Sequence, residues 1–264
     1  MTELVDGFVG WLAALPAWLT LAVLLALLAA PTVLLLHFLR GRVSHDAMRR
    51  HHDVAGIVFA AVGGLYGILL AFTVVITFEH HHETEAATWA EAGAHHGMLD
   101  LLALSTDPKA GQAEDAIANY AALVVNDELA VTNYTGRSTP AEDSFRAIWE
   151  IAPQVAMPTD AASEQLLRQL ATADDARTER LRGSQGAIQT SLWVVLAVGA
   201  AATIGFSLLF SIESYAPHLL VVGGLVAIIA LVLFVNVQLN FPFVGSDAVG
   251  PDAFASLVLR APTD

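Results

Sequence analysis

Five of the ten histidines fall in one stretch, His80–His82 and His95-His96, among four glutamates, Glu79, Glu83, Glu85 and Glu91. Imidazole and carboxylate are donors that divalent metals take, and imidazole also changes charge near neutral pH. His81–Glu85 and Glu91–His95 are each four residues apart, a spacing that puts both side chains on one face of a helix. Each pair offers two donors, which leaves a tetrahedral site open, so a metal would need such pairs from several copies around a symmetry axis. No HExxH motif occurs. The candidates for metal binding or pH sensing are therefore His80, His81, His82, Glu85, Glu91 and His95. The plainer alternative is a solvated helix face whose carboxylates raise the histidine pKa values. A divalent metal at these groups is the one cofactor that the sequence suggests.

Tyr66, Thr73 and Thr77, continued by Thr84, Glu91 and His95, form a hydroxyl-bearing stripe on the same stretch of helix. In hydrocarbon such a line must face protein or water, so Tyr66, Thr73, Thr77 and the following Glu79 are candidates to line a pore. The alternative is that the threonines bond back to their own helix and Tyr66 serves a packing contact. About 100° away on the helix, Gly56, Ala60, Gly63, Gly67 and Ala71 make a small-residue face on which another helix can approach closely, within the chain or from a second copy. Arg177, Arg180 and Arg182 precede a later apolar segment. They are expected either to pair with Glu79, Glu83 and Glu85 or to form a selectivity ring, with arginines favouring anions and glutamates cations. Between Val54 and Phe78 there is no Asp, Glu, Lys or Arg, which argues against a proton relay along that segment.

The element that must carry these groups runs from Asp53 to about Leu104. Val54–Phe78 is apolar for long enough to cross a bilayer, and Glu79–Leu104 continues as helix without a proline. At ~1.5 Å per residue this is one rod of roughly 75 Å, of which about 30 Å can lie in hydrocarbon. The other spans are Pro16–Phe38, with Pro31 expected to kink it, Thr190–Ile212 and Leu219–Val237. Trp11 and Trp18 suit an interfacial belt. The N-terminus lacks the basic start of a secretory signal. Glu79–Ala187 reads as an acidic insert of helices, Ala110–Val131, Ala141–Ile151 and Ala161–Arg182, separated by Thr106-Asp107-Pro108, Asn133–Pro140 and Ala152–Asp160. The resulting divisions are 1–53 (first span and basic loop), 54–105 (long helix), 106–187 (insert), 188–238 (third and fourth spans) and 239–264. That tail opens on a Phe241-Pro242-Phe243 turn read as anchoring at the membrane surface.

Composition agrees. Of 264 residues 55% are hydrophobic and only 14% charged, against about 25% in a soluble domain, and mean hydropathy is +0.58. The net charge of −14 with a single lysine, Lys109, excludes a basic nucleic-acid footprint. There is no cysteine, hence no thiolate chemistry or disulfide. No G-x-S-x-G elbow, P-loop or Rossmann glycine pattern appears, so an enzyme is not expected. Arg40, Arg42, Arg49 and Arg50, with His45, His51 and His52 as headgroup contacts, make the first loop cytoplasmic by the positive-inside rule. Both termini and the insert are then extracytoplasmic.

The order of features resembles the bestrophin-like family of bacterial four-span membrane proteins. The resemblance rests on LLAFTVVITF (Leu69–Phe78) followed by Glu91-Ala92, the helix of Tyr120, ARTERLRGSQGAIQTSLW (Ala176–Trp193) and LNFPFVG (Leu239–Gly245), and spans nearly the whole chain. The chain departs from the family pattern at His80–His82, where arginines are usual, and at Asn240-Phe241, where an acid and a base are. The family name implies likeness to anion-conducting bestrophins and a bacterial inner-membrane location. The expectation is an all-α integral membrane protein with four spans and a helical insert, assembling as a homo-oligomer in the bilayer. Its function would be an ion-conducting pore lined by the second span. The alternative is a non-conducting sensor or scaffold whose histidine-bearing insert binds a partner or a divalent metal.

Overall fold

In a computed structural model the chain is described over residues 2–42, 52–129, 138–209 and 214–258, and every described element is helical. The loop on which the orientation argument rests, with Arg49, Arg50, His45 and His51, lies outside the described residues, as do the side chains of Arg40, Arg42 and His52. The helices are α1 (Thr2–Ala13), α2 (Ala17–Arg42), α3 (His52–Leu102), α4 (Pro108–Leu123) with a π-helical turn at Val124–Leu129, α5 (Thr139–Ile151), α6 (Asp160–Gly183), α7 (Thr190–Leu208), α8 (Tyr215–Asn240) and α9 (Asp252–Val258). They fall into two compact units. One comprises Met1–Glu79 with Ala187–Asn240, the other His80–Gly186 with Phe241–Asp264.

The first unit holds the helices long and apolar enough to cross a membrane: Ala17–Leu39, the start of Gly56–Leu102, Thr190–Leu208 and Tyr215–Asn240. α1 is separate from the first span, because Pro16 has no N–H to continue a helix through it. The joint is closed by the Thr20 hydroxyl, which donates to the Leu12 carbonyl at 2.9 Å. Asp6 on α1 accepts the Thr190 hydroxyl at 2.7 Å and so holds α1 to the start of α7. α2 runs through Pro31 without ending. Between α1, α2, α7 and α8 lies a groove of about 500 Å³ with almost wholly hydrocarbon walls.

α3 is a single helix of 51 residues, the long rod expected from the sequence. Its end is set by the next turn, where Asp107 Oδ1 accepts the Lys109 backbone N–H at 3.0 Å and Pro108 opens α4 with its φ already helical. Asp107 Oδ2 also accepts the Ala156 N–H at 2.8 Å, so one carboxylate ties two loops of the second unit together. These two backbone donors hold its pKa below the usual aspartate value.

The core of the second unit is built from Met98 and Leu102 of α3, Ile117, Tyr120 and Val124 around α4, Phe145 and Ile148 of α5, and Leu166 and Leu170 of α6. The tail completes it. The Phe241–Gly245 turn forms, with the Val244 N–H on the Phe241 carbonyl at 3.0 Å and Gly245 at φ 99°, a conformation that glycine alone adopts without strain. Phe243, read from the sequence as a surface anchor, is instead buried in this core, together with Phe254 and Leu257 of α9. Burial removes more aromatic surface from water than an interfacial position would. Phe254 is fully buried. Phe254→Ala should therefore lower the stability of the second unit by about 3–5 kcal/mol. Thermal unfolding of the detergent-purified protein, followed by circular dichroism, measures this.

Candidate functional site

One face of α3 enters the second unit, and its buried residues follow one another at helical spacing: Thr84, Thr88, Glu91, His95, Met98, Leu102. The first two hydroxyls are absorbed locally, Thr84 donating to the His80 carbonyl and Thr88 to that of Thr84, each at 2.8 Å. α6 approaches this face at Gly183, where a side chain would collide with Thr84. Two turns further along α3, Glu91 meets Arg180.

Arg180 is the centre of a fully buried charge cluster. Its Nε donates to Glu91 Oε2 at 2.6 Å and its Nη2 to Glu128 Oε2 at 2.7 Å. Tyr120 of α4 donates its hydroxyl to Glu91 Oε1 and accepts from Arg177 Nη1 at 3.1 Å. Arg177 stands 3.7 Å from Glu128 Oε1 and 3.5 Å from Glu142 Oε2. Glu128 also accepts the Ser138 N–H at 3.2 Å. Aromatic rings close the space, with the Arg177 guanidinium 5.2 Å from the centre of Phe145 and that of Arg180 5.9 Å from Phe254. Two guanidinium groups thus face two wholly buried carboxylates, a set whose formal charges cancel.

Burial alone would work against the Arg180 charge, but Glu91 and Glu128 more than offset it and hold the guanidinium well above its usual range. Arg177 is raised for the same reason, burial opposing and Glu128 and Glu91 prevailing. Burial, and then the charge of Glu91, push the Tyr120 phenol well above its ordinary value, so it stays a protonated donor. His95 lies against this cluster, stacked on Tyr120 with ring centres 5.0 Å apart, and burial lowers its pKa.

The structure distributes the remaining candidates differently from the expectations. Arg177 and Arg180 pair with Glu91, Glu128 and Glu142, and Arg182 with Glu179 at 3.5 Å, not with Glu79, Glu83 and Glu85. The reason is azimuth: positions 177 and 180 share the buried face of α6 with Leu166, Leu170 and Ala173, whereas 182 turns outward. The Glu91–His95 pair does not form a chelate, because the carboxylate is taken by Arg180 and Tyr120 while His95 Nδ1 donates to the Glu91 backbone carbonyl at 2.8 Å. His80 Nε2 lies 2.9 Å from the Gln185 carbonyl and 3.1 Å from that of Gly183. His82 meets Glu85 at 3.5 Å on an exposed face. Burial lowers the His81 pKa against the opposing pull of Glu85 and Asp247, the reverse of a carboxylate-raised histidine. Among the described residues no three of these donors converge on a point where a metal could sit.

In the first unit Tyr66, Thr73 and Thr77 are buried and their hydroxyls bond to backbone: Tyr66 to Leu196 at 3.0 Å, Thr73 to Leu70 at 2.8 Å and Thr77 to Thr73 at 3.0 Å. Tyr66 is seated on Gly199, where a β-carbon would lie 2.5 Å from the ring. Ala60, Gly67 and Ala71 are exposed, Gly56 and Gly63 half-buried, and Glu79 is exposed. Glu128, Glu142, Phe145 and Phe254 were not singled out from the sequence. Glu128 continues the buried spacing Ile117, Ala121, Val124 from α4 into the π-helical turn at Val124–Leu129, and that spacing was its signal.

A four-span apolar helix set, joined through one long helix to an acidic helical unit, defines a helical membrane protein. The bestrophin-like domain family matches residues 26–254, and the chain belongs to that family. No curated protein and no solved structure matches it.

Removing one partner of a buried ion pair leaves the other charge stranded. Arg180→Met should cost about 3–5 kcal/mol, and Arg180→Met combined with Glu91→Met less than the sum of the two single changes. Thermal unfolding of the three variants checks this.

Proposed function

We propose that this bestrophin-like membrane protein forms a homo-oligomeric ion-conducting pore with the membrane half of α3 at the subunit contacts and along the conduit. The observation that supports it most is the face that the chain itself leaves uncovered. Ile57, Ala60, Gly64, Gly67, Ile68 and Ala71 are exposed on a helix whose opposite side is fixed by Tyr66, Thr73 and Thr77. Small residues on such a face let a second helix approach closely in lipid, where van der Waals packing drives association. In this reading the three hydroxyls position α3, and the uncovered face supplies the wall. Family membership favours the same class of activity.

Ion preference follows from which charges remain free. Arg177 and Arg180 are withdrawn into the second unit and neutralised there, whereas Glu79 and Glu83, one and five residues beyond the apolar segment, are exposed. A ring of carboxylates favours cations. The test is flux from liposomes carrying the purified protein, with potassium and chloride gradients imposed separately. The expected result is potassium flux exceeding chloride flux, with the preference reduced in Glu79→Gln/Glu83→Gln. A folded, oligomeric protein that passes neither ion overturns the pore and turns the case to a membrane sensor or scaffold.

A further inference from the structure

His95 is a wholly buried imidazole that lies against the charge cluster without joining its ion pairs. His95 Nδ1 donates its proton to the Glu91 carbonyl, so Nε2 is the basic nitrogen, and it is buried with no hydrogen-bond partner. We propose that His95 is an acid-operated release for the C-terminal helix α9: a proton added at Nε2 finds no hydrogen-bond acceptor in the closed core and is accommodated when α9 comes off it.

Every wall around His95 bears on this. α3 itself contributes Glu91, whose carboxylate is already engaged by Arg180 and Tyr120. α4 contributes the Tyr120 ring and α5 the Phe145 ring, 6.2 Å from His95 between centres. α5 also carries Glu142, which contacts Arg177. α6 brings two cations, Arg177 and Arg180, and the π-helical turn brings Glu128, which is paired to both. α9 closes the last side with Phe254, whose ring centre is 6.4 Å from that of His95. Charge in the wholly buried set is balanced before the proton arrives, and afterwards it is not. The two arginines repel the new cation and Glu91 attracts it, while burial penalises it most of all.

α9 is the wall that can yield. It has seven residues and is held by Ala253, Phe254 and Leu257 and by one contact of its neighbour on α3, His96 Nε2 to Ser256 Oγ at 2.8 Å. The other walls are tied to one another by the charge cluster through Glu91, Tyr120, Glu128, Glu142, Arg177 and Arg180. The sign follows from linkage. A histidine bound less tightly to its proton in the closed state than in the open one leaves closure intact above about pH 6.5, and below it favours opening by up to tenfold per pH unit for one proton.

The absence of native cysteine makes the test direct. A spin label on Ala255→Cys, an exposed position of α9, is followed in the full chain in lipid nanodiscs from pH 7.5 to pH 5. The expected result is an immobile label at pH 7.5 and a mobile fraction that rises below about pH 6.5 by up to tenfold per pH unit. His95→Gln and His95→Phe should abolish that rise, and His96→Gln should keep it. No rise in the parent chain overturns the proposal without any variant. An equal rise in a folded His95→Gln or His95→Phe protein, with the label immobile at pH 7.5, assigns the effect to other groups and overturns it as well.

Discussion

Everything in the second unit is arranged around the need to keep one guanidinium charged without water. Arg180 is inaccessible to solvent, and a buried unpaired charge is among the most destabilising things that a fold can contain. Two carboxylates from different segments answer it, Glu91 on the long helix and Glu128 on the π-helical turn. Each carboxylate then needs further donors, which Tyr120, Arg177 and the Ser138 N–H supply. The demand propagates outward until it reaches aromatic rings that need no partner. Such a cluster adds little net stability over an apolar core, but it tolerates very few alternative packings. Its worth lies in fixing the azimuth of α3 against α4 and α6.

The first unit uses the opposite solution. The hydroxyls that place α3 bond to their own or a neighbouring backbone, Tyr66 to Leu196, Thr73 to Leu70 and Thr77 to Thr73, and no charge is required at these contacts. Close seating of Tyr66 on Gly199 sets the approach of α3 to α7 by shape. One helix is thus held by steric fit along its first half and by ionic fit along its second.

The spans, the uninterrupted long helix and the insert helices were legible in the sequence, because length and apolarity decide them locally. The partners of the arginines were not. Arg177 and Arg180 were visible as a pair, and Glu91 was visible as a polar residue on the helix. Which carboxylate an arginine meets depends on how α6 is rotated, and the clue to that rotation was the burial spacing Leu166, Leu170, Ala173, Arg177, Arg180, in which the arginines take places normally held by hydrophobes. Glu128 falls on the line Ile117, Ala121, Val124 by the same three- and four-residue spacing, a carboxylate in a place normally held by a hydrophobe. Phe243 looked like a residue of an interfacial tail because it follows an apolar helix, and its burial, like that of Phe254, follows from the open end of the insert core that the two rings fill.

The burial of α9 has a consequence for biosynthesis. The second unit is made of two pieces of chain, His80–Gly186 and Phe241–Asp264, and between them lie two helices long enough to cross a membrane. As the chain emerges from the ribosome, the insert is finished before Phe243 and Phe254 exist. It must wait with the end of its core open while α7 and α8 are made. Contacts that join such distant segments form late, and the waiting state exposes the apolar surface that they will cover. Completion of the acidic unit is thereby made conditional on synthesis of the last apolar pair, so that an arrested chain lacking them leaves a recognisably incomplete substrate for chaperones and proteases.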